Sequence, residues 1–237
     1  MKVITGITPL APKIMIHGLA GSGKSTLANK LRRPIFLDFE GGLNYIDCAR
    51  TEQITDLDVF YAYLVELFRA EKREYDTIVI DSVDWLVRKV VEKAAGIDRD
   101  NLDMTLNKSN GGYGNGKLVL VNHIRTKLLP TLVALNKKGY GICLIAHSER
   151  KDLMDEDGID TTRITPKIDA NTMEVMVEWC DQVFYLKKGA NGERILVLDG
   201  DDNILAKNRQ GLHGEVKLAD IDINELLTPK KAETKEK

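Results

Sequence analysis

The sequence predicts an α/β protein with a mostly parallel central sheet flanked by helices, and antiparallel strands at its C-terminal edge. Three observations carry this expectation. Short, mainly apolar runs at 14–16, 35–39, 77–80 and 140–146 read as buried strands. Between them lie segments with helical apolar spacing, which is the rhythm of a parallel sheet covered on both sides. The last third then changes character: residues 194–198, the turn D-G-D-D-N and residues 204–207 read as strands joined by tight turns.

In chain order, residues 1–12 carry Pro9 and Pro12 and read as a lead-in to the first strand. That strand ends in G-L-A-G-S-G-K-S-T, residues 18–26. Gly18, Gly21 and Gly23 let the backbone wrap closely around phosphate oxygens, so that N–H groups at a helix N-terminus point at the anion. Lys24 supplies a point charge for the β and γ phosphates and Ser25 a hydroxyl for Mg²⁺, with Ser22 and Thr26 in the same nucleotide-binding loop. The full G-x-x-x-x-G-K-[ST] pattern between a strand and a helix predicts a bound nucleoside triphosphate, read here as ATP with Mg²⁺.

The helix that begins near Ser25 is expected to stop by Arg33, because Pro34 disfavours helix in the residue before it. The strand at 35–39 is followed by Glu40, Gly41 and Gly42. Leu57, Phe60, Leu64, Leu67 and Phe68 place one face of a helix on the sheet, and Y-D-T-I-V-I-D at 75–81 is a strand closed by an acid. Residues 83–95 return to helical period, with Gly96 as the stop. Residues 97–117 break the rhythm and end in G-G-Y-G-N-G-K, expected to be a flexible loop ahead of a helix at 118–135. The strand at 140–146 is expected to end at His147, and the charged residues 148–168 to form another loop. A helix at 170–179 and a strand at 182–186 follow. Residues 228–237, T-P-K-K-A-E-T-K-E-K, have no apolar anchor and are expected to be a disordered tail, leaving 1–227 as one domain.

The composition fits an ordinary globular chain of 237 residues, with 43% hydrophobic and 30% charged. A formal net charge of −2 gives no whole-molecule basic field, so any nucleic-acid contact must come from local patches. Cys48, Cys143 and Cys180 lack C-x-x-C spacing and read as free thiols of a reducing compartment. No leader pattern is evident, and no run approaches the roughly 18 apolar residues of a membrane span, so a cytoplasmic location without a membrane partner is expected.

Four positions beyond the phosphate loop could carry chemistry. Asp81 ends an apolar strand, where an acid would share Mg²⁺ with Ser25; it also suits a helix N-cap. Glu40 ends the neighbouring strand and could polarise an attacking water, though an acid before two glycines also makes a good turn. His147 stands where ligands bind in open α/β sheets and could sense the γ phosphate. Lys207 and Arg209 lie two residues apart on one side of an extended edge. They could reach a neighbour's phosphate or simply solvate that edge.

Taken together, I-F-L-D-F-E-G-G at 35–42, T-I-V-I-D-S-V at 77–83, G-I-C-L-I-A-H at 141–147 and A-K-N-R-Q-G at 206–211 resemble the RecA-like core ATPases. The set is more similar to phage-encoded, AAA-type P-loop recombination proteins that promote single-strand annealing. That resemblance implies Glu40 as the catalytic glutamate, Asp81 as the Walker B acid, and His147 as a γ-phosphate sensor where most of the family carries Gln. It implies Lys207 and Arg209 as a pair acting on the nucleotide of the next subunit in a ring or filament. It further implies two loops lining a channel for single-stranded DNA, here 97–117 with Lys108, Tyr113 and Lys117, and 148–168 with Arg150 and Lys151. A single-strand-binding protein would be a natural partner, and a bacterial host's cytoplasm the location. Two other readings stay open: a helicase-loader or packaging-type ATPase working mainly through protein contacts, and a small-molecule kinase.

Overall fold

The computed structural model of the chain describes residues 10–95, 106–109, 111–154 and 160–228, with Met1, Val3, Thr5 and Gly6 ahead of them. The strands are β1 (Lys13–Gly18), β2 (Pro34–Asp38), β3 (Ala49–Arg50), β4 (Thr77–Asp81), β5 (Gly141–Met154), β6 (Asp160–Pro166), β7 (Gln182–Lys188), β8 (Arg194–Val197), β9 (Lys207–Asn208) and β10 (Glu215–Lys217). They form one sheet in the order β10-β8-β7-β1-β5-β4-β2-β3, with β6 paired to β5 and β9 to β7. The strands from β3 to β7 in that order run parallel. β8, β9 and β10 add antiparallel at the β7 edge, as the turn-rich last third predicts.

The helices are α1 (Lys24–Ala28), α2 (Leu57–Arg69), α3 (Val83–Ala95), α4 (Asn115–Lys137), α5 (Ala170–Trp179) and α6 (Ile223–Leu226). Two clusters of buried side chains lie on the two faces of the sheet. The larger joins β2 and β4 side chains such as Leu37 and Ile80 to α2, α3 and α4, and the smaller joins β1, β7 and β8 to Leu27 and Ala28 of α1. Each fully buried Leu, Ile or Phe contributes about 1.5–3 kcal/mol. α2 starts where it does because the Asp56 carboxylate accepts from the Asp58 and Val59 N–H groups.

Four expectations need correcting. α1 stops at Ala28, well short of Arg33, because the chain tightens into three-residue turns, with Lys30 N–H donating to Leu27 O and Leu31 N–H to Ala28 O. α4 begins at Asn115 after Gly114 at φ 78°, so Lys117 lies in a helix and not in a loop. It runs 23 residues and is long and apolar enough to cross a bilayer. Its Leu120, Ile124, Leu128, Leu132 and Leu135, however, are buried in the core. A π-helical stretch at Ile124–Leu128 precedes Pro130, which cannot donate to a helical carbonyl.

β5 does not end at His147. Its first half lies in the parallel sheet and its second half pairs antiparallel with β6, from Ser148 with Pro166 to Met154 with Asp160. The stretch read as a charged loop is therefore a β-hairpin arm. Gly96, all of 97–105, residue 110, residues 155–159 and the tail from 229 onward lie outside the described residues.

Candidate nucleotide site

The phosphate loop follows β1 at the C-terminal edge of the parallel strands. Gly21 and Gly23 take φ 70° and 99°, a left-handed backbone that favours glycine, and a Cβ on Gly18 would meet the Leu186 carbonyl at 2.4 Å. Lys24 is buried, and its ammonium donates to the Gly18 and Leu19 carbonyls, both at 3.1 Å. Burial pulls its pKa below the ordinary lysine value, while the carboxylates of Asp81, Glu40 and Asp84 oppose that shift. The buried Ser22 hydroxyl has no partner, and a cradle with an unpaired hydroxyl and a lysine closed on its own loop fits a phosphate chain.

The donors for Mg²⁺ come from two elements. Ser25 Oγ donates to Asp81 Oδ2 at 2.6 Å. Burial pushes the Asp81 carboxyl up to about 6. A hydroxyl and a carboxylate are the hard oxygen ligands that Mg²⁺ takes. The Asp81–Ser82 peptide bond is cis.

Glu40 is held by the turn after β2. Asp38 Oδ1 accepts from the Glu40 N–H at 3.1 Å and the Gly41 N–H at 2.7 Å, so the last residue of β2 shapes the turn that presents the glutamate. Glu40 Oε1 lies 3.7 Å from His147 Nε2. On the other side of the ring, Nδ1 lies 3.0 Å from Asp84 Oδ2, and the His147 N–H donates to Asp84 Oδ1 at 3.1 Å. The Asp84 hydrogen bond holds the His147 pKa above its ordinary value against the effect of burial. Burial raises the Asp84 carboxyl, but the His147 contacts outweigh it and leave the pKa lowered.

A family model described as AAA domain matches residues 10–210. The chain belongs to that family. A Bacillus subtilis (strain 168) relative, the SPbeta prophage-derived uncharacterized protein YorG, is 26% identical over 187 residues, covering 76% of this chain. The chain spans 52% of that relative's length. A crystal structure of the RadB recombinase superposes with a TM-score of 0.50 over 88% of this chain and 87% of that one, at 15% identity. This AAA domain therefore shares the RecA-like fold, a mostly parallel sheet with its phosphate loop at the end of β1.

Within the AAA domain, the remaining candidates are distributed differently. Lys207 and Arg209 lie at the opposite end of the sheet from their own phosphate loop, since β9 pairs with the first residues of β7. Within the chain both cations have partners. The Lys207 ammonium donates to the Val177 and Glu178 carbonyls at the C-terminus of α5, at 2.6 and 3.1 Å, and Arg209 donates to Glu178 O and Asp181 Oδ1. Burial, then the Arg209 charge, lowers the Lys207 pKa.

Tyr113 stands fully exposed at φ 54°, with Lys108 exposed beside the same glycine-rich loop, and Arg150 is exposed on the arm. Lys151 pairs with Glu149 at 3.0 Å, and Lys117 reaches Asp169 at 3.9 Å. That last pair sets the glycine-rich loop beside the exit of the β5–β6 arm.

Two residues near the phosphate loop and Glu40 were missed from the sequence. Asp84 sits in a helical first turn, where an acid is ordinary. Arg194 starts β8, and its Nε lies 3.2 Å from where a Cβ on Gly23 would be, with Nη2 donating to Gly21 O at 3.5 Å. Nothing local in the sequence ties Arg194 to the loop.

Proposed function

We propose that this AAA domain hydrolyses ATP with Mg²⁺ and couples turnover to binding of single-stranded DNA, promoting annealing or recombination as a ring or filament. The observation that supports it is the continuity from Glu40 through His147 into the arm: the strand that carries the ring contacting the candidate water-activating carboxylate also forms half of the projecting hairpin.

In this reading Lys24 neutralises the phosphate charge and Glu40 takes a proton from the attacking water. Ser25 and Asp81 would hold Mg²⁺, which would act as a Lewis acid on the phosphate oxygens. Lys108, Tyr113 and Arg150 would meet the DNA, the cations on its backbone and the ring on its bases. The other reading, an ATPase acting mainly through protein contacts, draws on one observation: the arm mixes acids with bases, and Lys151 is already paired with Glu149.

The deciding measurement is ATP turnover with and without a labelled single strand, with binding titrated at low and moderate salt. Salt-sensitive binding that accelerates turnover is expected. Absence of binding at both salts would remove the DNA reading in favour of the protein-contact one.

A further inference from the structure

At His147, β5 has outrun its neighbour. The last β4–β5 pair is Asp81 with Ile145, so two residues later the His147 N–H faces no β4 carbonyl. A buried backbone donor needs a partner, and the carboxylate of Asp84 takes that place. Its Oδ1 accepts the His147 N–H at 3.1 Å while Oδ2 accepts from Nδ1 at 3.0 Å. One carboxylate thus holds both the strand and the ring. Asp84 is 6% exposed, a depth at which an unpaired carboxylate would be costly.

We propose that Asp84 is a positioning residue for hydrolysis: it clamps the His147 backbone and ring together, with the proton on Nδ1, so that Nε2 is directed at Glu40 and any shift of β5 is passed to that carboxylate. This rests on the reading of Glu40 as the group that activates water. With Nδ1–H committed to Asp84, protonation of the ring places its second N–H on the Glu40 side, forming an ion pair across 3.7 Å. The charged groups facing the ring are Asp84 from α3, Glu40 after β2 and Lys24 from α1; the acids favour the protonated ring and the lysine disfavours it. Asp84→Asn leaves a single acceptor oxygen for two donors, and its amide N–H₂ would oppose one of them.

The test labels histidine with ¹⁵N in the full chain and reads the ring tautomer and titration of His147 by NMR, with the signal assigned by its loss in His147→Gln. ATP turnover is measured in the same buffers. In the wild type, the neutral ring should carry its proton on Nδ1. In Asp84→Asn the ring should titrate about one pH unit lower. There kcat should fall about 10- to 100-fold with KM within about twofold, the size of effect seen when an orienting partner is lost. Asp84→Glu, which keeps the charge on a longer stem, should restore part of both.

An Nε2-protonated tautomer in the wild type would overturn the proposal, and that measurement needs no variant to fold. So would a kcat loss in Asp84→Asn with tautomer and titration unchanged, since that is the mark of a merely structural role. A wild type without ATP turnover would sink the hydrolysis reading instead, while tautomer and titration still judge the clamp.

Discussion

At the scale of single residues, the loop and Glu40 make separable contributions. Lys24→Ala should abolish nucleotide binding in a fluorescent-nucleotide titration. Glu40→Gln should bind normally and lose turnover by about 10²- to 10⁴-fold. Normal hydrolysis in the glutamine variant would remove Glu40 from the chemistry.

His17 gives a different kind of prediction. It is buried between the Ser148 hydroxyl at Nδ1, 2.8 Å, and the Leu205 carbonyl at Nε2, 2.6 Å, which places its proton on Nε2. Burial lowers its pKa from 6.5 to about 4. Between those values the unfolded chain binds a proton that the folded chain refuses, so this group makes stability rise with pH. The contribution is complete above 6.5 and is lost as pH falls to about 4, a span of about 3 kcal/mol. Urea unfolding at pH 4.5, 5.5 and 7 should show this slope in the wild type, and His17→Phe should lose it while being less stable throughout.

At the scale of elements, what the sequence revealed tracks where each element is buried. α2 and α3 fall on their expected bounds because each lays one apolar face on the sheet, and the central parallel strands show as mainly apolar runs because both their faces are covered. The β5–β6 arm leaves the sheet at Ser148. With Glu149, Arg150, Lys151 and Asp152 in succession it has no apolar face to show, so it reads as loop. Asp84 and His147 are 63 positions apart, and only the ending of β4 before β5 brings them together.

The arm and the glycine-rich loop yield a direct test. Tyr113→Ala and Arg150→Glu should each weaken binding of a single strand about tenfold in fluorescence anisotropy, because stacking is worth about 1–3 kcal/mol per base. Unchanged affinity in both would move the DNA surface elsewhere. Lys207 belongs to another element, the C-terminus of α5, whose last carbonyls it caps. Lys207→Met should lower stability by about 1 kcal/mol, read as a fall in Tm, with turnover in the absence of DNA unchanged. A loss of DNA-stimulated turnover with unaltered Tm would instead restore this cation to a neighbour's nucleotide.

At the scale of the whole molecule, a net charge of −2 concentrates the nucleic-acid question on one end of the fold, where the arm and the glycine-rich loop meet through Lys117 and Asp169. A ring or filament would bring that end into repeat. Mass photometry with ATP and a single strand should show whole-number multiples of the chain mass, which fall back when either is left out. A single species of unit mass under all conditions would leave the AAA domain acting alone.

β5 is one strand of 14 residues, about 45 Å long, and neither glycine nor proline interrupts it between Ile142 and Met154. In mechanical terms it is a beam without a joint, running from the candidate nucleotide site into the arm. A displacement of the arm is therefore expected to reach His147 along the strand itself. Glu149→Gly with Asp152→Gly would insert a joint in the arm alone. That variant should still bind DNA and still hydrolyse ATP, with the two no longer responding to each other.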